Sequence, residues 1–138
     1  MTLVRLPEWR PRLHEWLQEV DGRVIAPGQH DCCLFAAGAV QAQTGVDIAA
    51  GWRGCYSTLA GGRRLLQQRG YADHVDLIAD LLPEGPRLAA CEGDIAVLQT
   101  DEGPAAGVVQ GPAIFVLHPS GRLGLAPLSA CVRLFRVG

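Results

Sequence analysis

The 138-residue sequence contains no lysine, since all twelve of its basic residues are arginines. A Schiff-base lysine and the lysine of a phosphate-binding loop are therefore both excluded, and with them two large classes of enzyme. The formal net charge is −2 and the pI is about 6.0. This balance predicts no basic surface for DNA or RNA, so nucleic acid is not expected as a partner.

Long apolar runs and an even set of cysteines are also missing. No apolar run approaches the roughly 18 residues that a membrane-spanning helix needs, so membrane insertion is not expected. The segment 1–7 is too short to be the apolar core of a signal peptide. The five cysteines are an odd number in a chain without an export signal, which favours free thiols over a disulfide framework.

Length and composition predict a single globular domain over 1–138. This length suffices for one core and is too short for a two-domain enzyme. Hydrophobic residues make up 49% and charged residues 19%, which is typical of a folded chain.

The first half of the chain has helical patterns and the second half has strand patterns. Four helices are predicted, at 8–21, 30–45, 57–70 (capped by Ser57 or Thr58) and 73–82. The second is apolar nearly all round and is expected to be the buried central helix. Five strands are predicted, at 94–98, 106–109, 113–117, 123–125 and 132–137. This order indicates an α+β fold, with N-terminal helices packed on a C-terminal antiparallel sheet.

The most distinctive local feature is Asp31-Cys32-Cys33 at the predicted start of the central helix. A thiol there lies near the positive end of the helix dipole and near unpartnered N–H groups, which stabilise a thiolate and lower its pKa. Cys32 is therefore a candidate nucleophile. The alternative interpretation is that Cys32 and Cys33 are small apolar residues in the first turn of a core helix, a common environment for cysteine.

The order of two short motifs resembles the NlpC-type papain-like cell-wall peptidases. That family has Asp-Cys-x-x-Phe on its helix, matched here by Asp31, Cys32 and Phe35, and Gly-Asp-apolar at its first sheet strand, matched by Gly93 and Asp94. The resemblance covers roughly 28–117. It implies a papain-like (NlpC-type) core with a cysteine nucleophile on the helix.

Four further strings extend the resemblance over nearly the whole chain. They are similar to those of a group of small phage and prophage proteins, which are related to the NlpC-type peptidases and encoded among tail genes. The strings are His30-Asp31-Cys32, Thr44-Gly45-Val46-Asp47, Arg53-Gly54-Cys55-Tyr56 and Ala126-Pro127-Leu128-Ser129. The resemblance implies a component of a tail tip or baseplate, in a tailed phage, a prophage or a gene-transfer particle.

This second resemblance also implies partners and a location. The protein is expected in the virion tail, assembled in the cytoplasm of a bacterial host, where it contacts other tail proteins of the hub, distal-tail or fibre type. Peptidoglycan is a further expected partner if catalysis survives.

An apolar patch around Trp9, Trp16 or Trp52 is a candidate docking surface, although three tryptophans fit a core equally well.

The resemblance fails at the catalytic base. The NlpC-type base is a histidine that opens the second strand, in a string of the form His-apolar-Gly-apolar-apolar-x-Gly. The matching string here is 105–111, which has Ala105 in place of that histidine. A cysteine peptidase needs a base within hydrogen-bond reach of the thiol, so this departure predicts that catalysis has been lost unless another histidine substitutes.

The four histidines offer two candidate substitutes. His118 ends the third predicted strand, close to the position of the family's orienting residue, and is alternatively a simple hairpin residue. His30 lies two positions before Cys32, on the same face of an extended segment. His14 and His74 are both expected to be solvated on their helices.

No cofactor and no metal site are predicted. Zinc sites usually have Cys-x2–4-Cys or His-x3–5-His spacing, which neither the 30–33 segment nor the isolated cysteines match. Spacing along the chain does not test whether cysteines gather in space around a metal or an iron–sulfur cluster.

Two functions follow from the sequence. The first is a tail-tip or baseplate module with a peptidase-like fold that has lost catalysis. The alternative is an active cysteine peptidase that cleaves peptidoglycan stem peptides, with Cys32 as nucleophile, His118 or His30 as base, and backbone N–H groups at the helix start as oxyanion donors.

Overall fold

A computed structural model describes residues 3–138; Met1 and Thr2, which begin the segment considered above for a signal peptide, lie outside it. Over the described residues, four α-helices precede the long strands of one sheet. The helices are α1 (Trp9–Val20), α2 (Cys32–Thr44), α3 (Leu59–Gln68) and α4 (His74–Leu81). All four predicted helices are confirmed, with ends that differ only slightly from those expected.

The strands form one antiparallel sheet, in the order β1-β6-β2-β3-β4-β5 over the part of the chain described. They are β1 (Glu84–Gly85), β2 (Ile95–Thr100), β3 (Gly103–Val109), β4 (Ala113–Leu117), β5 (Leu123–Pro127) and β6 (Cys131–Phe135). The α+β class and the antiparallel sheet are confirmed. Strand β1 was not predicted, because two residues carry no alternation that a sequence pattern can reveal.

Side-chain caps determine where three of the helices begin. Oδ1 of Asp31 accepts the amide of Leu34 at 3.0 Å and caps α2. Thr58, rather than Ser57, caps α3, and Asp73 caps α4. Each cap satisfies a first-turn N–H that has no partner within its helix.

Helix α2 is the buried element on which the other layers pack. Its residues Phe35, Ala39 and Val40 have no exposed surface, and the helix lies between α1 and strand β3. Trp16 of α1 stacks on Phe35 with ring centroids 5.3 Å apart. The close approach requires Gly38, where a Cβ atom would lie 2.3 Å from the Trp16 ring. The prediction of a buried central helix is confirmed.

The Gly93-Asp94 motif anchors both chain ends to α2. Asp94 is 2% exposed, pairs with Arg5 at 3.3 Å and accepts the amide of Val137 at 3.1 Å. Gly93 has φ +88°, and its carbonyl accepts a hydrogen bond of 2.8 Å from Gln43 of α2. A buried carboxylate with a cation and amide donors is a satisfied structural group. The motif therefore has a sufficient role in the fold itself.

Two further sequence predictions concern membrane-spanning helices and the oxidation state of the cysteines. None of the helices in 3–138 combines the length and the apolar character that crossing a bilayer demands. All five cysteines are free thiols, as expected. Cys55 and Cys91 are exposed, whereas Cys131 is buried in an apolar cluster formed by residues of β2, β3, β4 and β6.

The three tryptophans have partners within the chain. Each is half-buried. Trp9 lies under the guanidinium group of Arg5, at 4.1 Å, and Trp52 under that of Arg69, at 4.4 Å. Trp16 packs on the core as described. These contacts favour the alternative that the sequence left open for the tryptophans, packing within the domain rather than an apolar docking patch.

Candidate functional site

The site is built around the first turn of α2. Asp31 is buried and caps the helix, and Cys32 and Cys33 follow as its first two residues. Both thiols are half-buried, so they are neither sealed in the core nor free on the surface. Cys131, by contrast, fits the interpretation of a small apolar core residue.

His74 is the histidine that the fold brings to these cysteines. One of its ring nitrogens and the two sulfur atoms of Cys32 and Cys33 all lie within 4.8 Å of one another. The Nε2 atom of His74 is buried and has no hydrogen-bond partner. The expectation that His74 is solvated is wrong, because its side chain is half-buried and its Nε2 atom is shielded from solvent.

The pKa values of the two thiols are shifted in opposite directions. The Cys33 thiol donates a hydrogen bond that lowers the pKa of Cys32; burial opposes this shift, and the backbone N–H of Ala106 adds to it. The same interaction raises the pKa of Cys33 well above its ordinary value, and burial raises it further. Cys32 is therefore the thiol that ionises first, which agrees with its assignment as the candidate nucleophile.

The pKa of His74 is shifted in the direction that a catalytic base requires. Burial lowers the pKa of His74, and the negative charges of Asp73 and Asp31 only partly oppose this shift. A histidine with a lowered pKa is neutral at pH 7 and has a free lone pair for a thiol proton. The neighbourhood thus combines an acidified thiol with a neutral imidazole, a combination typical of functional sites.

Tyr56 and Gly28 hold Asp31 from the other side. The Tyr56 hydroxyl donates a 2.5 Å hydrogen bond to Oδ2 of Asp31, and the Gly28 amide donates to the same oxygen at 3.1 Å. Burial and this carboxylate raise the pKa of Tyr56 well above its ordinary value, so the phenol remains a donor. Gly28 has φ +82°, and a Cβ atom there would collide with the Tyr56 backbone. These contacts position the helix start.

His30 does not join the cysteines. Its side chain is 5% exposed and lines a cavity between α1 and α2 together with Trp16 and Gly38, a cavity that Cys32 does not line. Its Nε2 atom is buried and unpartnered. Burial lowers the pKa of His30 and the charge of Arg23 lowers it further. His30 thus lines a different cavity and is not a member of the cluster that His74 joins.

The two remaining histidines are on the surface. His118 lies exposed in the β4–β5 hairpin, where its Nδ1 atom bonds to the hydroxyl of Ser120 at 2.9 Å and accepts the Ser120 amide at 3.1 Å. This is the hairpin role that the sequence offered as its alternative. His14 is exposed, as expected, and bonds to Glu92 at 2.7 Å.

Ala105 lies beside the cluster. It is half-buried in β3 and directly precedes Ala106, whose N–H lowers the pKa of Cys32. The backbone position that the resemblance assigns to a histidine is therefore one residue from a contact of Cys32. Its side chain, however, shares the sheet face of its partner Leu98, opposite to the face on which Ala106 packs against α2. His74 approaches from α4 instead, on a different element of the fold.

The residue that sequence reasoning missed is His74. Its pattern is that of any amphipathic helix start, and nothing in 73–82 indicates that its side chain lies near the start of α2. The one sequence signal that could have found His74 is the alanine at position 105. Because the resemblance expects a histidine there, every histidine of the chain is a candidate base, including those on predicted helices. Among the described residues, Cys32, Cys33 and His74 form the only group of three or more His, Cys, Asp or Glu side chains close enough to hold a metal ion.

The described residues thus define an α+β domain with a two-cysteine, one-histidine cluster at the start of its central helix. The chain belongs to a family described as a domain of unknown function, DUF6950, whose family model matches residues 4–137. No curated protein and no solved structure gives a significant match. Family membership covers nearly the whole chain and assigns no activity to it.

Proposed function

We propose that this domain is a cysteine hydrolase of the NlpC type, in which Cys32 is the nucleophile and His74 is the base. The observation that carries the proposal is the ring nitrogen of His74 within 4.8 Å of the Cys32 sulfur. Resting catalytic pairs are often longer than a hydrogen bond and tighten when substrate binds. A separation of at most 4.8 Å is therefore compatible with a catalytic pair at rest.

The chemistry runs through the thiol and the imidazole. His74 takes the Cys32 proton, and the thiolate attacks the carbonyl carbon of an amide to form a tetrahedral adduct. Collapse of the adduct breaks the C–N bond, and His74 returns the proton to the leaving amine. Water, activated by the same imidazole, then hydrolyses the thioester to a carboxylate and restores the thiol.

The start of α2 supplies donors for the tetrahedral oxyanion. The Asp31 carboxylate accepts a hydrogen bond from the Leu34 amide at 3.0 Å, and the Asp31 backbone carbonyl accepts one from the Phe35 amide at 2.7 Å. The amides of Cys32 and Cys33 come earlier in the turn, where helix N–H groups have no intrahelical partner. They are the donors that we assign to the oxyanion.

The substrate and setting follow from the sequence resemblance. We propose that the bond cleaved is a peptide bond of the peptidoglycan stem, and that the domain acts within the tail tip or baseplate of a phage or related particle. The α+β order and the helix-borne cysteine beside an antiparallel sheet support a papain-like core. The domain would then contact other tail proteins of the hub, distal-tail or fibre type.

Digestion of purified peptidoglycan tests this function. Wild-type protein is expected to release new amino groups and carboxylates from stem peptides, and Cys32→Ala is expected to abolish the release. Cys55→Ala is the matched control, because Cys55 is an exposed thiol outside the cluster. No release by the wild type, or equal release by Cys32→Ala, would overturn the proposal.

A second candidate function is a tail module without catalysis. Ala105 favours it, because the strand that carries the base in the NlpC pattern has none. The Nε2 atom of His74 also has no hydrogen-bond partner, whereas in cysteine peptidases a third polar group orients the base. Peptidoglycan digestion discriminates between the two: a module without catalysis releases no stem-peptide ends, whereas a domain that uses Cys32 and His74 releases them and loses this activity in Cys32→Ala.

A further inference from the structure

We propose that Cys32, Cys33 and His74 form a binding site for one thiophilic divalent cation of the Zn²⁺ class. The ligand atoms of these three side chains lie within 4.8 Å of one another. The site goes beyond the proposed hydrolysis, because it uses the thiol of Cys33 as a ligand, whereas that reaction uses only the backbone amide of this residue.

The donor set matches this class of metal. Two thiolate sulfurs and one imidazole nitrogen are ligands that Zn²⁺ and its soft relatives prefer, whereas Mg²⁺ and Ca²⁺ take oxygen. Two thiolates would also neutralise the charge of a divalent cation. The half-buried position of all three side chains protects the bonds from competition by water and still allows entry.

The geometry needs only a small adjustment. Zn–S bonds of about 2.3 Å and Zn–N bonds of about 2.1 Å in a tetrahedron set the donor atoms roughly 3.6–3.8 Å apart. Since the donor atoms already lie within 4.8 Å of one another, metal binding requires them to approach by at most about 1 Å. The Nε2 atom of His74 is buried with no other hydrogen-bond partner to give up.

The fourth coordination position stays open. No further His, Cys, Asp or Glu side chain of the described residues belongs to the cluster. Three protein ligands and an open position are the pattern of zinc sites that accept water or a small ligand. A bound cation would occupy the Cys32 sulfur and therefore block its attack on an amide, so metal and hydrolysis would be mutually exclusive.

Cobalt spectroscopy tests the site without a substrate. Metal-free, reduced protein is titrated with Co²⁺ without oxygen; one equivalent should produce a thiolate-to-cobalt charge-transfer band and the strong visible bands of tetrahedral Co²⁺. Zn²⁺ should then remove these bands at one equivalent. Cys33→Ser and His74→Gln should each weaken binding more than about 100-fold, since even outer-shell changes cost 10–100-fold.

The controls separate this inference from the proposed hydrolysis. Cys55→Ser and Cys91→Ser remove exposed thiols elsewhere and should bind Co²⁺ like the wild type. Far-ultraviolet circular dichroism confirms that each variant is folded. Absence of the charge-transfer band in the wild type, or unchanged affinity in both cluster variants, overturns the metal site. Because the readout involves no peptide cleavage, either result is independent of the peptidoglycan assay.

Discussion

The Tyr56 hydroxyl donates a 2.5 Å hydrogen bond to Oδ2 of Asp31, while Oδ1 of the same carboxylate caps α2 one residue before Cys32. One carboxylate thus joins the loop around Tyr56 to the helix that carries the candidate nucleophile. The position of Cys32 depends on this carboxylate through the first turn of α2. The strength of the link can be measured directly.

Tyr56→Phe removes the hydroxyl and leaves the ring in place. We expect the free energy of unfolding to fall by about 2 kcal/mol, because a hydrogen bond to a charged, largely buried carboxylate is lost. Urea unfolding followed by circular dichroism measures the change. Tyr71→Phe is the matched control: its hydroxyl also donates to a carboxylate, Asp80 at 2.6 Å, but on the surface, so a smaller effect is expected. Equal effects of the two substitutions would contradict the buried role of Tyr56.

The helix boundaries were readable from sequence because their causes are local. A cap such as Asp31 or Asp73 acts on N–H groups within three residues of itself, so the sequence contains both partners of the interaction. Thr58 and Ser57 are both able to cap, and only the observed backbone decides between them. Long strands were predicted for the same reason, since their apolar runs lie between glycine and proline turns.

Gly93→Ala tests the structural role of the Gly-Asp motif. A Cβ atom at this position would lie 2.3 Å from Oε1 of Gln43, in addition to the strain of φ +88°. Gly70 provides the control, because it has φ +92° and nothing within 4 Å of an added Cβ. We expect Gly70→Ala to cost about 1–2 kcal/mol from the backbone alone and Gly93→Ala clearly more. Thermal and urea unfolding compare the two variants; equal losses would show that Gln43 yields without cost.

Cys32 should react with alkylating agents at a lower pH in the folded protein than in the unfolded chain. The Cys33 hydrogen bond lowers the pKa of the Cys32 thiol, so a larger fraction is thiolate at any pH below its ordinary value. Peptide mapping by mass spectrometry after timed iodoacetamide treatment gives the rate at each pH. Cys33 should shift in the opposite direction, because its pKa is raised. A Cys32 profile that matches the urea-unfolded chain would contradict this account.

The Cys32–His74 pairing could not be predicted, since its cause is not local. The apolar face of α4, with Val75 and Ile78 buried, indicates that this helix packs on the core but not against which element. The sequence predicted His30 as a base because it lies two positions before Cys32. It predicted His118 because that residue lies close to the position of the family's orienting residue. In the fold, His30 faces another cavity and His118 bonds within its own hairpin.

The central claim is that His74 acts as the base that Ala105 no longer provides, and stem-peptide hydrolysis by His74→Gln tests it most directly. Glutamine retains a polar side chain of similar reach and cannot take the thiol proton. With a chelator present to keep the cluster metal-free, we expect the rate to fall at least about 100-fold, the usual contribution of a general base. His118→Gln should hydrolyse at the wild-type rate. Full activity of His74→Gln, or its loss in His118→Gln alone, would contradict the account.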